Sequence, residues 1–164
     1  MTVRTVRDPR LLAKPPVCRL GCLALLRDQA GHVLLVDPDF LDGLILPGGA
    51  ANTNEPPHLA ASRHLQAQTG IVRRMTHLLA VDFAPADRYL ERLNLVFDAG
   101  VITGPAAQRL AVPPQHHSNL LGARFADPAH LGNLMSPAQN ARVQQALANL
   151  GRSLPLLTHG QRSA

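Results

Sequence analysis

His64 and Gln68 stand four residues apart in the middle of this chain, with Ala67 between them. Residues at i, i+3 and i+4 share one face of an α-helix, so a single ligand can touch both polar side chains. An imidazole suits zinc and other transition ions better than magnesium, and its near-neutral pKa also suits acid–base work. A glutamine offers one neutral oxygen, a poor substitute for the charged oxygens that hard cations prefer. His64 is therefore the candidate catalytic residue, and Gln68 a candidate ligand contact. The pair can hold a transition ion, touch a phosphate directly, or simply face solvent.

The flanking residues read as the frame that positions this face. Pro47, Gly48 and Gly49 make a tight loop, where glycine permits close backbone approach. Asn54 is the expected N-cap of a helix over residues 55–69, with Pro56 and Pro57 in its first turn, where a missing N–H is tolerated. Ala60, Ala61 and Leu65 supply packing, and Gly70 followed by Ile71 reads as the helix stop.

Residues 46–71, LPGGAANTNEPPHLAASRHLQAQTGI, resemble the Nudix box, G-x5-E-x7-R-E-U-x-E-E-x-G-U with U aliphatic. Gly49, Glu55, Arg63, Leu65, Gly70 and Ile71 fall on their required positions. The pattern asks for glutamate at 64, 67 and 68, where this chain has His64, Ala67 and Gln68. Glu55 and Glu91 are the only glutamates in the chain, so no shifted register restores the set.

The resemblance implies a structural part for Gly48, Gly49, Glu55, Arg63, Leu65 and Gly70, with the Glu55–Arg63 pair tying the loop to the helix. In that family the helix glutamates hold Mg²⁺ or Mn²⁺, which polarise a diphosphate and activate the attacking water. No metal ligand or cofactor is assigned here; Mg²⁺ or Mn²⁺ is expected only if hydrolysis is retained. Family members often carry another acidic residue near the position of Gly122, and residues 118–122, SNLLG, have none.

The fold implied is α/β (α+β), a Nudix-like α/β/α sandwich with a mixed central sheet. The expected function is binding of a nucleotide or other phosphorylated or diphosphate small molecule, with reduced or no hydrolysis. One alternative is a metal-dependent hydrolase of a nucleoside diphosphate linked to another moiety, using a rebuilt site. Another is different acid–base chemistry through His64.

A length of 164 residues suits one domain, expected over 17–150, with flexible tails at 1–16 and 151–164. Strands are expected at 18–26, 32–36, 44–46, 78–83 and 93–96. A strand and turn over 123–131 should lead to a final helix capped by Ser136 and running to about residue 150. Residues 103–119, rich in proline, read as an irregular connection that carries the His116–His117 doublet in a surface loop. Asp82 and Asp98 are expected at strand ends, bonding local backbone.

Cys18 and Cys22 share a strand face and read as two buried thiols in a reducing compartment. No apolar run spans a membrane and no signal-peptide core appears, so a cytoplasmic protein is expected. The formal net charge is +5, and basic residues are almost all arginine, which suits bidentate phosphate contacts. They are scattered, however, and leave no nucleic-acid footprint. Phe40 and Tyr89, in loops, are the candidate stacking residues, whereas Phe83, Phe97 and Phe125 are expected in the core. A homodimer is a possible assembly.

Overall fold

A computed structural model describes residues 17–105, 119–152, 154, 157–158 and 161–162. The N-terminal tail and most of the proline-rich connection, including His116 and His117, lie outside the described residues.

Strand β1 (Arg19–Arg27) lies at the centre. It pairs in parallel with β5 (Arg92–Val101) and antiparallel with both β2 (Val33–Pro38) and the short β3 (Gly48–Ala50). Strand β4 (Leu78–Ala84) extends the sheet beyond β5, and β6 (Leu120–Ala126) extends it beyond β2. The sheet is thus mixed, in the order β4-β5-β1-β2-β6, with β3 paired to β1 off that path. A separate hairpin, β7 (Leu157–Thr158) with β8 (Gln161–Arg162), closes the described chain.

Strand β1 is apolar on both faces because both are covered. Side chains alternate along a strand. Cys22, Ala24 and Leu26 point into a core shared with Ala60, Ala61 and Leu65 of helix α1 (Pro57–Thr69). Leu23 and Leu25 point the other way, into a core shared with Val143 and Ala146 of helix α2 (Pro137–Ala148). A 3₁₀ helix, Pro128–Asn133, leads into α2, whose Ser136 cap accepts from Gln139 N at 3.4 Å. The result is the expected α/β/α sandwich. No helix among the described residues is long and apolar enough to cross a membrane.

Several local expectations need correction. Helix α1 starts at Pro57, with Pro56 at the N-cap; Asn54 instead turns the chain in the left-handed region at φ 62°. The third strand is not 44–46: Ile45 makes only an isolated bridge to Val36, and Gly48–Ala50 takes the place beside β1. Glycine explains the choice, since a Cβ at Gly48 would collide with the Cys22 carbonyl oxygen. Phe83 lies outside the core at 56 % exposure, on an edge strand, while Phe97 is buried. Cys18 is exposed ahead of β1, and only Cys22 is buried. Asp82 and Asp98 lie within strands, each in an ion pair with an arginine, though Asp98 Oδ1 also accepts from Gly100 N at 2.9 Å, the local backbone bond expected of it.

Candidate functional site

Strand β3 is gripped from helix α1 by the two side chains that opened the sequence argument. Gln68 Oε1 accepts from Gly48 N at 2.8 Å, and its Nε2 donates to Gly48 O at 3.0 Å. One turn earlier, His64 Nε2 lies 2.9 Å from the Ala50 carbonyl oxygen. A carbonyl only accepts, so the imidazole proton sits on Nε2. The His64 ring also packs on Gly49, where a Cβ would run into it. Both side chains are half-buried. The solvent-facing alternative is thereby corrected: each polar head finds a backbone partner on the strand facing the helix.

A third tie holds the loop that joins β3 to α1. Arg63 Nε donates to Glu55 Oε1 at 2.7 Å and its Nη2 to Glu55 Oε2 at 2.7 Å, a two-pronged pair. Arg63 Nη2 also reaches Ala50 O at 3.3 Å, and Asn52 N donates to Glu55 Oε2 at 2.8 Å. The Arg63 hydrogen bonds, aided by Asn52 N–H, pull the Glu55 carboxyl down to about 2. Leu65 is buried beneath the helix, and Gly70 ends it in the left-handed region at φ 73°.

On the far side of β3, a cavity of about 350 Å³ opens between the sheet and helix α2. Gly48, held by Gln68, and Gly49, on which the His64 ring packs, form part of its wall, and neither the Gln68 nor the His64 side chain lines it. Phe40 and Tyr89 stand at its edge, 62 % and 58 % exposed, and both line it. Arg19, Arg92 and Arg142 line it, and among the described residues that line it none is an Asp or Glu.

The cations divide into two kinds. Arg142 is held by Asp82, with Nε donating to Oδ2 at 2.8 Å and Nη2 to the same oxygen at 2.6 Å. Asn94 Nδ2 also donates to that oxygen at 3.3 Å. Arg19 and Arg92, by contrast, have no ion pair among the described residues; Arg92 lies over the Tyr89 ring at 5.4 Å.

Sequence reading missed Arg19, Arg92, Asn94, Gln139 and Arg142. For Arg19, Arg92 and Asn94 the available signal was weak: polar residues at alternate positions of apolar strands. Register brings them together, for Arg19 pairs with Arg92 and Gly21 with Asn94 across β1 and β5.

A divalent ion of the kind the Nudix family implies does not fit these donors. Among the described residues, no group of three or more His, Cys, Asp or Glu side chains could hold one. On the helix face, His64 Nε2 and the whole Gln68 amide are already bonded to Ala50 and Gly48.

The fold is that of Nudix proteins. The structure resembles a MutT protein from Methanosarcina mazei Go1 at a TM-score of 0.68 and 15 % identity, covering 84 % of this chain and 99 % of that one. A Nudix hydrolase from Nitrosomonas europaea matches at a TM-score of 0.69 and 16 % identity, over 87 % and 97 % of the two chains. The Nudix domain of Shewanella oneidensis NrtR, solved with ADP ribose, matches at 0.66 and 16 %, over 89 % and 99 %. No family model matches the sequence, and no curated protein does. The likeness is one of fold.

Proposed function

We propose that this chain is a Nudix-fold protein that binds a nucleotide or other phosphorylated small molecule without a metal, and hydrolyses it weakly or not at all. The observation that carries this reading is the cavity lining, which among the described residues holds three arginines and no Asp or Glu. A phosphate needs positive charge around it. In a metal-dependent site, ions and carboxylates supply and hold that charge together; here Arg19 and Arg92 supply it alone, in the fork geometry that suits phosphate. Phe40 and Tyr89 offer flat surfaces at the edge of the same cavity.

The reading predicts slow chemistry for a definite reason. A metal contributes several kcal/mol of transition-state stabilisation, and each ~1.4 kcal/mol lost costs about tenfold in rate. The Shewanella domain's ADP ribose makes nucleoside diphosphates the first ligands to try. Two free cysteines suit the reducing cytoplasm expected from the sequence.

A second reading, a metal-dependent hydrolase with a rebuilt site, draws support from the Glu55–Arg63 tie, which keeps the loop braced. Among the described residues that line the cavity it lacks a carboxylate.

Calorimetric titration with pyrophosphate, ADP and ADP-ribose tests the first reading. Binding should weaken with rising salt and fall at least about tenfold in Arg19→Ala and in Arg92→Ala. Affinity unchanged in both variants overturns it.

A further inference from the structure

Asp82 stands on the edge strand β4 and does not line the cavity. Its Oδ2 nevertheless grips two side chains that do. Arg142 of α2 donates to it from Nε at 2.8 Å and from Nη2 at 2.6 Å, and Asn94 of β5 donates from Nδ2 at 3.3 Å. Register sets this group beside the other arginines. Asp82 pairs with Asn94 and Ala84 with Arg92, so Arg92 and Asn94 lie two residues apart on one face of β5. The two other carboxylates that pair with arginines, Glu55 and Asp98, hold Arg63 and Arg27, and neither of those lines the cavity.

The same bonds decide what Arg142 can offer a ligand. Its charge is cancelled by Asp82, so attraction of an anion falls to Arg19 and Arg92. What Arg142 keeps is direction. Nε and Nη2 are engaged, and Nη1 of the same planar guanidinium takes no part in either bond. A mobile arginine loses conformational freedom when it grips a ligand, whereas one already held loses little. Arg142 is held at two of its nitrogens, and its side chain is only 14 % exposed.

We propose that Arg142 is a third contact for the ligand's phosphate, a directed donor rather than a net charge, and that Asp82 is the residue that positions it. This rests on the reading that the cavity binds a phosphorylated ligand. Asp82 acts only through Arg142 and touches no ligand itself.

The test is calorimetry on the full chain with pyrophosphate, comparing variants that carry the same charge. Asp82→Asn and Asp82→Ala both remove the carboxylate's charge, and only the asparagine keeps an oxygen that can accept from Arg142. The asparagine variant should bind pyrophosphate at least about fivefold more tightly than the alanine variant. Asp82→Leu, branched like asparagine but with no acceptor, should match Asp82→Ala, and it carries the comparison if the alanine variant does not fold. In an Arg142→Met background the Asn and Ala variants should agree within about twofold, which a general effect on packing would not produce. Equal affinities of the Asn variant and the Ala and Leu variants with Arg142 present overturn the proposal. So does a difference that survives in Arg142→Met. Failure of the wild type to bind pyrophosphate overturns the phosphate-binding reading itself, and this inference with it.

Discussion

Gln68 holds Gly48 at both of its backbone polar groups, accepting from its N–H at 2.8 Å and donating to its carbonyl oxygen at 3.0 Å. Only a group that carries donor and acceptor side by side can do this. A carboxylate has no donor, and an alanine has neither. Gln68→Ala should destabilise the fold by about 1–3 kcal/mol, since two hydrogen bonds to partly buried backbone are lost. Gln68→Glu should be comparably damaging, because it sets a negative oxygen against the Gly48 carbonyl. Urea unfolding monitored by circular dichroism measures both. Values within the error of wild type would show that the clamp contributes little.

The neighbouring contact should behave as a coupled pair. A Cβ at Gly49 meets the His64 ring. Gly49→Ala is expected to cost about 1–3 kcal/mol in the wild-type background, as overpacking does. In a His64→Ala background much of that cost should disappear, giving a coupling of at least ~0.5 kcal/mol in a double-mutant cycle. Strict additivity would mean that the ring does not set the glycine requirement.

Much of this frame was legible in the sequence, and the reason is local. Gly49, Glu55, Arg63 and Gly70 act within one loop and one helix, so the resemblance to a short contiguous motif located them. The apolar run of β1 likewise marked a strand, expected at 18–26 and found at Arg19–Arg27. What was not legible depends on partners distant in the chain. His64 and Gln68 looked like ligand contacts because nothing in their own helix shows that the backbone of β3 lies within reach. Arg19, Arg92 and Asn94 become neighbours only through the parallel register of β1 and β5, and Arg142 only through Asp82 on the edge strand. Asn54 misled for another reason. Its residue type suits both an N-cap and a left-handed turn, and the two prolines after it moved the helix start to Pro57.

Glu55 provides a pH signature. Its carboxyl is lowered from the ordinary 4.5 to about 2, first by the Arg63 hydrogen bonds and then by Asn52 N–H. A carboxyl depressed on folding contributes its stability in full above the ordinary value. That contribution is lost as pH falls from there through about 2. Carbon NMR of the Glu55 carboxyl should therefore show a midpoint well under that of Glu91, and Arg63→Met should move the Glu55 midpoint upward. A Glu55 midpoint near 4.5 in the wild type would show that the pair does not persist in solution.

The two cysteines should differ in reactivity. Cys22 is buried beneath α1, and burial, aided by the Glu55 charge, pushes its thiol up to about 11. It is protonated and inaccessible at neutral pH, whereas Cys18 is exposed. A disulfide reagent should modify one thiol in the native protein and a second only in urea. Native Cys18→Ser should react hardly at all. Rapid modification of both thiols in the folded state would contradict the placement of Cys22.

Metal dependence tests the central claim most directly. Titration of the protein with ADP-ribose in EDTA, and again with excess Mg²⁺ or Mn²⁺, should give affinities equal within about twofold, with no phosphate-bond cleavage in either condition. Binding that requires the metal, or robust metal-dependent hydrolysis of the ligand, would contradict a cavity in which Arg19 and Arg92 hold the phosphate while His64 and Gln68 hold the loop.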